Sequence, residues 1–240
     1  MRTPASLSVV AIAALIVGTP LSAARSADLA VKAPPAPVAP VYNWTGFYVG
    51  VDAGYVWDSV TVYDPALPAD GSAAGHPNSG TFGGHVGYMY QFNPQWVIGV
   101  EGDASWLNGS AMPAFSGLPA TFGSTETSKW DASARGTLGY VIDTNLLYVT
   151  GGAAWIRGDG CTFRQTAPGV CGPGVSYGVT QDGWTVGGGL AHAFTQNLIG
   201  RLEYLYADYG TATVTGAFSG GSENITTKIN KLRAGLTWKF

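Results

Sequence analysis

Nine charged side chains of this sequence fall at alternate positions of segments that otherwise contain few charged residues. Such an alternation places them on one face of a β-strand. Acidic and basic side chains that share a face can form a paired structural network or line a path for protons or ions. We favour the structural network, because paired charges hold each other in place. The nine are the acids Asp52, Glu101, Asp103, Asp131 and Glu203 and the bases Arg135, Arg201, Lys231 and Arg233.

Histidine, serine and aspartate also occur in a combination that could serve nucleophilic or acid–base catalysis. His76 lies near Asp70 and Ser79, whereas His85 and His192 stand apart from that group. No set of nucleophile, base and orienting group can be assembled from these residues with the order that catalysis needs. Three scattered histidines do not make a metal site either. We therefore expect no catalytic residue, no cofactor and no metal.

The two cysteines, Cys161 and Cys171, are close in sequence. Their spacing does not fit a Cys-x-x-Cys metal or redox motif. An exported chain meets an oxidising compartment, where a disulfide is the usual state of such a pair. We predict a disulfide within one long loop on the cell surface, which stabilises by about 2.5–3 kcal/mol in the chain-entropy model.

The first 26 residues have the features of a secretory signal peptide. Arg2 precedes an apolar core at residues 9–18, and cleavage after Ser26 places the small residues Ala24 and Ser26 at the recognised positions. A retained membrane anchor is the alternative, but the apolar run is too short for one. Removal of residues 1–26 leaves 10 basic and 15 acidic residues, a net charge of −5. Such a chain lacks the basic patch of a nucleic-acid-binding protein, so no nucleic-acid partner is expected.

Residues 27–42 are predicted to be a Pro-rich periplasmic linker. Four prolines fall between residues 33 and 41. Closely spaced prolines favour an extended segment without internal hydrogen bonds. The folded domain is therefore expected over residues 43–240.

From residue 43 onward, apolar and polar residues alternate with a period of two, which predicts strands with one apolar face. Charged residues make up 11% of the chain, and no later apolar run approaches the roughly 20 residues of a membrane helix. In the fifth strand we place Leu147, Val149 and Trp155 outward, although the opposite register is open. The eight predicted strands cover residues 47–55, 81–91, 96–106, 130–140, 146–156, 183–194, 198–206 and 231–240.

The predicted connections alternate between short and long. Three short ones lie at residues 93–95, 143–145 and 195–197, and four long ones lie at 57–79, 107–128, 157–181 and 207–229. This alternation around an even number of antiparallel strands is typical of outer-membrane barrels. The sequence therefore predicts an all-β fold. It is an eight-stranded antiparallel transmembrane β-barrel with short periplasmic turns, long extracellular loops and both termini on the periplasmic side.

Aromatic residues at the strand ends indicate which face meets lipid. Tryptophans at both ends of strands form two girdles around a lipid-facing band, whereas a soluble barrel keeps bulky aromatics in mid-strand. The charges then line the lumen, which eight strands leave just wide enough to be filled by side chains. We assign to the girdles Trp57, Trp106, Trp130, Trp155 and Trp184 at the long-loop ends, Trp96 and Trp238 at the short-turn ends, and Trp44 just ahead of the first strand.

Two regions resemble a known family. The first consists of residues 27–35 and 42–50 and includes Asn43-Trp44-Thr45-Gly46-Phe47-Tyr48-Val49-Gly50. The second includes residues 186–194, 201–206 and 233–240. The chain resembles the small alphaproteobacterial outer-membrane β-barrel proteins, often labelled porin-family or outer-membrane immunogenic proteins, whose barrel is similar to the OmpA and OmpX transmembrane type. The resemblance implies an abundant surface-exposed envelope protein in the outer membrane of a Gram-negative bacterium, with no defined substrate. The Cys161–Cys171 loop and His192 depart from the family pattern.

The C-terminus carries Leu236, Trp238 and Phe240 at alternating positions. This pattern resembles the signal read by the barrel-assembly machinery, so we expect that machinery as a partner, together with outer-membrane lipid and lipopolysaccharide. Ligands of the long loops are left open. Two function classes remain. A structural or surface-interaction barrel with a plugged lumen is favoured, and a small porin-like channel for hydrophilic solutes is the alternative.

Overall fold

The computed structural model describes residues 42–63, 72–76, 78–111, 122–164, 176–215 and 222–240. The predicted signal peptide, the predicted linker up to residue 41, and Cys171 lie outside the described residues. Within those ranges no helix is long and apolar enough to cross a membrane. The strands are β1 (Gly46–Tyr63), β2 (Ser72–Gly75), β3 (Ser79–Asn93), β4 (Trp96–Ala111), β5 (Phe122–Ile142), β6 (Asn145–Arg164), β7 (Ser176–Ala193), β8 (Leu198–Thr215) and β9 (Ser222–Lys239).

The sheet closes on itself, because β1 pairs with β9 from the Tyr48–Lys239 pair to the Tyr63–Asn224 pair. All strand pairs are antiparallel, and β3 to β9 pair in sequence order. The short strand β2 pairs only with the far end of β1, in line with β3, so these two pieces form one position of the wall. The predicted eight-stranded antiparallel barrel is confirmed, with its second strand interrupted between β2 and β3.

Three tight turns join the strands at one end, where the sequence predicted short connections. The Asn93 side-chain carbonyl accepts hydrogen bonds of 2.8 Å from the N–H groups of Gln95 and Trp96. Asp143 has a φ of 55°, the left-handed conformation that a two-residue hairpin turn requires. In the third turn, Thr195 Oγ1 accepts from the N–H of Leu198 at 3.0 Å. This end of the barrel, the predicted periplasmic side, is called the periplasmic mouth below.

At the opposite end the strands continue much further than predicted. The prediction ended β1 near residue 55, whereas the ladder runs on to Tyr63. Much of each segment predicted as a long loop is therefore a hairpin extension of the wall. The extension forms because β-branched residues keep alternating inward, and Val60, Val62 and Ile225 are at most 4% exposed. Its outward residues are mostly polar, so the apolar outward face that indicates a membrane strand in the sequence stops before the strand does.

The outward face is apolar, as predicted. Val51, Val100 and Val149 are 52%, 64% and 60% exposed in the isolated chain. The outward register of the predicted fifth strand, now β6, is confirmed, since Leu147 and Trp155 are also exposed. Seven of the eight predicted girdle tryptophans point outward at the strand ends: Trp57, Trp96, Trp106, Trp130, Trp155, Trp184 and Trp238.

Trp44 does not belong to the girdle, so that prediction was wrong. Its side chain is fully buried inside the periplasmic mouth. Gly46 allows the chain to turn inward there. Its φ is 151°, and a Cβ at this position would lie 2.8 Å from the Phe240 carbonyl oxygen. A residue ahead of a strand has no pleat to set its direction, so its aromatic character alone could not place it.

Candidate functional site

The interior of the barrel is filled in three layers. On β1, Asp52 lies between the inward side chains of Tyr48 and Val56, and β4 and β8 repeat this order of apolar, charged and apolar residues. The lower apolar layer, at the periplasmic mouth, consists of Tyr42, Trp44, Tyr48, Met89, Val97, Val141, Leu146, Tyr148, Ala191, Ala193 and Ile199. The charge layer consists of Asp52, Glu101, Asp103, Arg135, Arg201, Glu203 and Arg233. The upper apolar layer consists of Val56, Leu107, Ala154, Ile156, Ala207, Tyr209 and Ile229.

Strand register brings two pairs of opposite charges directly beside each other in the charge layer. Glu101 on β4 pairs with Arg135 on β5, and Glu203 on β8 pairs with Arg233 on β9. Residues that face each other across a ladder are close enough for their side chains to interact. Each pair therefore bridges two neighbouring strands, and their side chains also reach across the lumen.

Arg233 contacts every carboxylate of the charge layer. Its Nε donates to Glu203 at 2.8 Å, and its Nη1 donates to Asp103 at 2.6 Å. Nη2 also lies 2.7 Å from Glu203, as an ionic contact without hydrogen-bond geometry. Asp52 and Glu101 are each 3.6 Å from the guanidinium. The Arg233 side chain is 1% exposed, so these carboxylates replace water around it.

The other two guanidiniums, from β5 and β8, contact carboxylates of the same layer. Arg135 lies 2.5 Å from Glu101 and 3.1 Å from Glu203. Arg201 lies 2.5 Å from Glu101 and 3.2 Å from Asp52. Three planar, multidentate cations thus cross-link carboxylates that belong to β1, β4 and β8, a geometry that suits arginine better than lysine.

All nine charged residues singled out from the sequence lie inside the barrel, and none of their side chains is more than 8% exposed. Seven form the charge layer. The other two, Asp131 and Lys231, form a separate ion pair on the side of the upper apolar layer. The alternation of residues along a strand predicted that each of them faces the lumen, but it could not predict which carboxylate each cation contacts.

The contacts of Tyr48 and His85 with the charge layer were not predicted from the sequence. The hydroxyl of Tyr48 donates to Glu101 at 2.9 Å. His85 contacts Asp52 through Nδ1 and Thr237 through Nε2, each at 2.8 Å. The alternation of residues along β3 puts His85 on the lumen face, and the glycine opposite it, Gly50, is a further signal. A Cβ at Gly50 would lie 2.4 Å from the imidazole ring, so only glycine leaves room for it.

Little free space remains around these groups. A cavity of about 30 Å³ separates part of the lower apolar layer from Glu101 and Arg201. A second cavity of about 10 Å³ lies beside Asp103, Asp131 and Lys231. One water needs roughly 10–15 Å³ in this measure. Each cavity therefore suits a water molecule or two and no larger solute.

Of the residues considered for catalysis, His76 and Ser79 lie in the described part of the chain. Asp70 lies outside the described residues. Ser79 is buried and faces the interior of the barrel. His76 contacts the backbone carbonyl of Asp58 at 3.2 Å. His192 instead contacts Asn145 at 2.9 Å. In the described part of the chain, no group of three or more histidine, cysteine, aspartate or glutamate side chains is placed to hold a metal ion. The predicted disulfide stays a prediction, because its Cys171 partner lies outside the described residues.

At the periplasmic mouth, ahead of β1, burial raises the pKa of the Tyr42 phenol to about 12. The hydroxyl therefore stays protonated at neutral pH. It donates a hydrogen bond to the carbonyl of Gln196 in the third tight turn, at 3.3 Å. This bond connects the segment ahead of β1 to the turn between β7 and β8.

Asp58 is a buried carboxylate that faces the upper lumen and forms no salt bridge within the described part of the chain. It is 3% exposed, and its Oδ1 has no hydrogen-bond partner among the described residues. Its Oδ2 accepts a 3.3 Å hydrogen bond from Ser128, and the backbone N–H of Ser59 also donates to the carboxylate. We expect Asp58→Asn to raise the free energy of unfolding at neutral pH by about 1–3 kcal/mol, because a buried charge without a salt-bridge partner is destabilising. Urea unfolding of the protein in detergent micelles measures this change.

Asp159→Asn is the matched control for Asp58→Asn. Asp159 is half exposed and lies 3.7 Å from Lys129, so its removal should change stability by no more than about 0.5 kcal/mol. A loss of stability in Asp58→Asn would contradict the expectation, since it would mean that the Asp58 carboxylate has a favourable partner.

Comparison with known proteins agrees with this architecture. The family model described as outer membrane protein beta-barrel domain matches residues 12–240. The chain is 32% identical to the 25 kDa outer-membrane immunogenic protein of Brucella abortus biovar 1, with 100% of each covered. It is also 32% identical to the 22 kDa outer membrane protein of Rhizobium leguminosarum bv. viciae, over 85% of this chain and 82% of that protein. Among solved structures, the outer membrane protein OprG from Pseudomonas aeruginosa has a TM-score of 0.55 at 13% identity, over 83% of this chain and 99% of that one; this likeness concerns the fold alone.

Proposed function

The chain belongs to the outer membrane protein β-barrel domain family and resides in the outer membrane of a Gram-negative bacterium, and from that premise we propose that it is a closed barrel with a structural and surface-interaction role in the envelope. The lumen is plugged by its own side chains, and the protein carries out no catalysis. The barrel anchors the hairpin extensions, which stand above the membrane and meet whatever approaches the cell.

The observation that carries this proposal is the filling of the lumen. A diffusion channel needs a continuous water-filled path, as in porins with many more strands. Here the charge layer spans the interior between two apolar layers, and the cavities beside it hold a water molecule or two. Opening such a path would require separating buried ion pairs, which is strongly unfavourable unless the charges find new partners.

Conductance in planar lipid bilayers tests the plugged lumen. We expect the purified, folded monomer to give no stable conductance steps. Heat-dependent electrophoretic mobility of the same sample should verify that the barrel is folded before reconstitution. Large, stable, open steps from the wild-type monomer would overturn the proposal, and they would make the alternative, a small channel for hydrophilic solutes, the better description.

The names of the Brucella relatives support the surface part of the proposal. Those proteins are called immunogenic, which fits a protein that presents segments at the cell surface. In this chain the corresponding parts are the ends of the long hairpins, beyond the extracellular tryptophan girdle. We propose that these ends meet external partners, while outer-membrane lipid and lipopolysaccharide surround the apolar band below them.

We further propose that the C-terminal strand is read by the barrel-assembly machinery. Leu236 and Trp238 on β9 and Phe240 directly after it form an outward row, at 55%, 50% and 73% exposure. Deletion of Phe240 is expected to reduce the folded, membrane-inserted fraction in cells, because the row loses its terminal aromatic group. Outer-membrane fractionation with heat-dependent mobility measures this fraction.

Two comparisons separate recognition from stability in the Phe240 deletion. Phe194→Ala removes another exposed aromatic at the same end of the barrel, and it should leave the inserted fraction near the wild-type level. The Phe240 deletion should also refold from urea into detergent as well as the wild type does. Unchanged outer-membrane levels in the deletion would refute this role of the C-terminus.

A further inference from the structure

Residues 42–45, which we call the mouth segment, close the periplasmic mouth without being part of the sheet. Trp44 is fully buried and Tyr42 is 4% exposed. Their rings touch edge to face, with 4.9 Å between centroids. The turn at Gly46 directs the segment from the wall into the lumen. The mouth segment therefore fills an opening that the three tight turns leave in the end of the barrel.

The mouth segment is held by side-chain contacts from several parts of the wall. None of its residues takes part in a strand ladder, so it can detach without breaking the barrel. Lys239 also places its ammonium 4.7 Å from the centre of the Tyr42 ring. The hydrogen bonds run from the Trp44 N–H to Gln91 Oε1 at 3.0 Å, from the Gln91 N–H to Thr45 Oγ1 at 3.0 Å, from the Tyr42 hydroxyl to the Gln196 carbonyl at 3.3 Å, and from Lys239 Nζ to the Asn43 carbonyl.

Two polar groups inside the periplasmic mouth lack hydrogen-bond partners among the described residues. One is the indole N–H of Trp44, and the other is the hydroxyl of Tyr148. Tyr148 lines the cavity of about 30 Å³ that lies between the lower apolar layer and the charge layer. A buried donor without a partner is unfavourable, and exposure to water would satisfy it. Detachment of the mouth segment would hydrate the indole N–H and admit water towards Tyr148, which offsets part of the lost apolar burial.

We propose that the mouth segment is a reversible stopper. It leaves and re-enters the periplasmic mouth while the strands and the charge layer stay intact. It thereby controls the access of water and small solutes from the periplasm to the lower half of the lumen. The charge layer remains closed throughout, so the stopper opens a periplasmic chamber and not a pore.

Thiol labelling of single-cysteine variants tests the stopper. In a background with Cys161→Ser and Cys171→Ser, Ala191→Cys places a probe in the lower apolar layer, and Ala154→Cys places a matched probe in the upper apolar layer. A small methanethiosulfonate reagent is added to the folded barrel in micelles. We expect slow labelling of Ala191→Cys, at least about tenfold faster labelling when Trp44→Ala is added, and no change at Ala154→Cys, because local opening needs much less free energy than global unfolding.

Free indole provides a second readout that a merely structural role of Trp44 would not affect. Indole matches the side chain removed by Trp44→Ala, and an apolar cavity of this kind binds a ring that fits it. Indole should therefore slow the labelling of Ala191→Cys in the Trp44→Ala variant, whereas an aliphatic alcohol of similar size should do so less.

Three outcomes would overturn the proposal. If Trp44→Ala leaves the labelling rate at Ala191→Cys unchanged, the mouth segment does not control access to the chamber. If both probes accelerate equally and indole has no effect, the loss of Trp44 loosens the whole barrel. If Ala191→Cys is never labelled while Trp44 is present, the mouth segment is a permanent seal and does not open reversibly.

Discussion

Arg233→Ala is expected to lower the free energy of unfolding by about 3–5 kcal/mol, the range found when one partner of a buried ion pair is removed. Arg233 is 1% exposed and contacts all four carboxylates of the charge layer. Its truncation leaves those carboxylates with two guanidiniums, from Arg135 and Arg201, in a space that water scarcely enters. Urea unfolding in micelles or lipid vesicles, followed by tryptophan fluorescence, measures the loss.

Two other variants on β9 and at this site show whether burial is the cause. Lys228→Ala removes a half-exposed cation of the same strand, 3.4 Å from Asp208, and should cost about 0–1 kcal/mol. Arg233→Lys keeps the charge but loses the planar fork that reaches several carboxylates at once, so its stability should lie between those of the wild type and Arg233→Ala. Equal losses in Arg233→Ala and Lys228→Ala would contradict a stabilising charge layer.

The alternation of residues predicted the faces of the barrel well, because the pleat of a strand is a local property. Asp52 and Glu101 lie inward and Val51 and Val100 outward, as their parity requires. The short turns were predicted for a similar reason, since Asn93 and Asp143 have side chains or conformations suited to tight turns. Local rules therefore gave the strand order, the periplasmic end and the face on which each charge lies.

The contacts inside the lumen could not be predicted in the same way. Arg233 meets Asp103 across 130 positions of sequence, and that meeting depends on how far each strand is staggered against the next. Stagger is a property of the closed barrel and leaves no local signal. The same limit applies to His85. The alternation of residues puts it on the lumen face, but its contact with Asp52 follows from the register and from the space left by Gly50.

The ends of the strands were missed for a different reason. A membrane strand is recognised by its apolar outward face, and this face stops at the girdle. Beyond Trp57, the inward residues Val60 and Val62 continue the barrel while the outward residue Thr61 meets water. The wall above the membrane is thus stabilised by an apolar interior, like a soluble sheet. Its apolar residues point inward and its polar residues outward, whereas the outward residues within the membrane are apolar.

Gly152→Ala is expected to destabilise the barrel by about 3 kcal/mol or to prevent its folding, a large effect for one methyl group. Gly152 faces the lumen on β6, in register with Arg135 on β5. A Cβ at Gly152 would lie 2.0 Å from the carbonyl oxygen of Ala134 and 2.8 Å from the Cα of Arg135. Both are backbone atoms, so β5 must move away as a whole. That movement would carry Arg135 away from Glu101 and Glu203, and crowding would thus be added to the loss of buried ion pairs.

The neighbouring glycine offers a control with the same change on the same strand. Gly151 points outward to lipid, and a Cβ there would meet its nearest atom, the carbonyl oxygen of Thr185, at an ordinary 3.4 Å. Gly151→Ala should therefore change the free energy of unfolding by no more than about 0.5 kcal/mol. Folded yield from urea and the unfolding midpoint in the same micelles compare the two variants. Similar behaviour of both would mean that β5 and β6 can separate freely at this height, and that the position of Arg135 does not depend on the close approach of their backbones. A large loss confined to Gly152→Ala would link the small inward residues of the wall to the geometry of the charge layer that they surround.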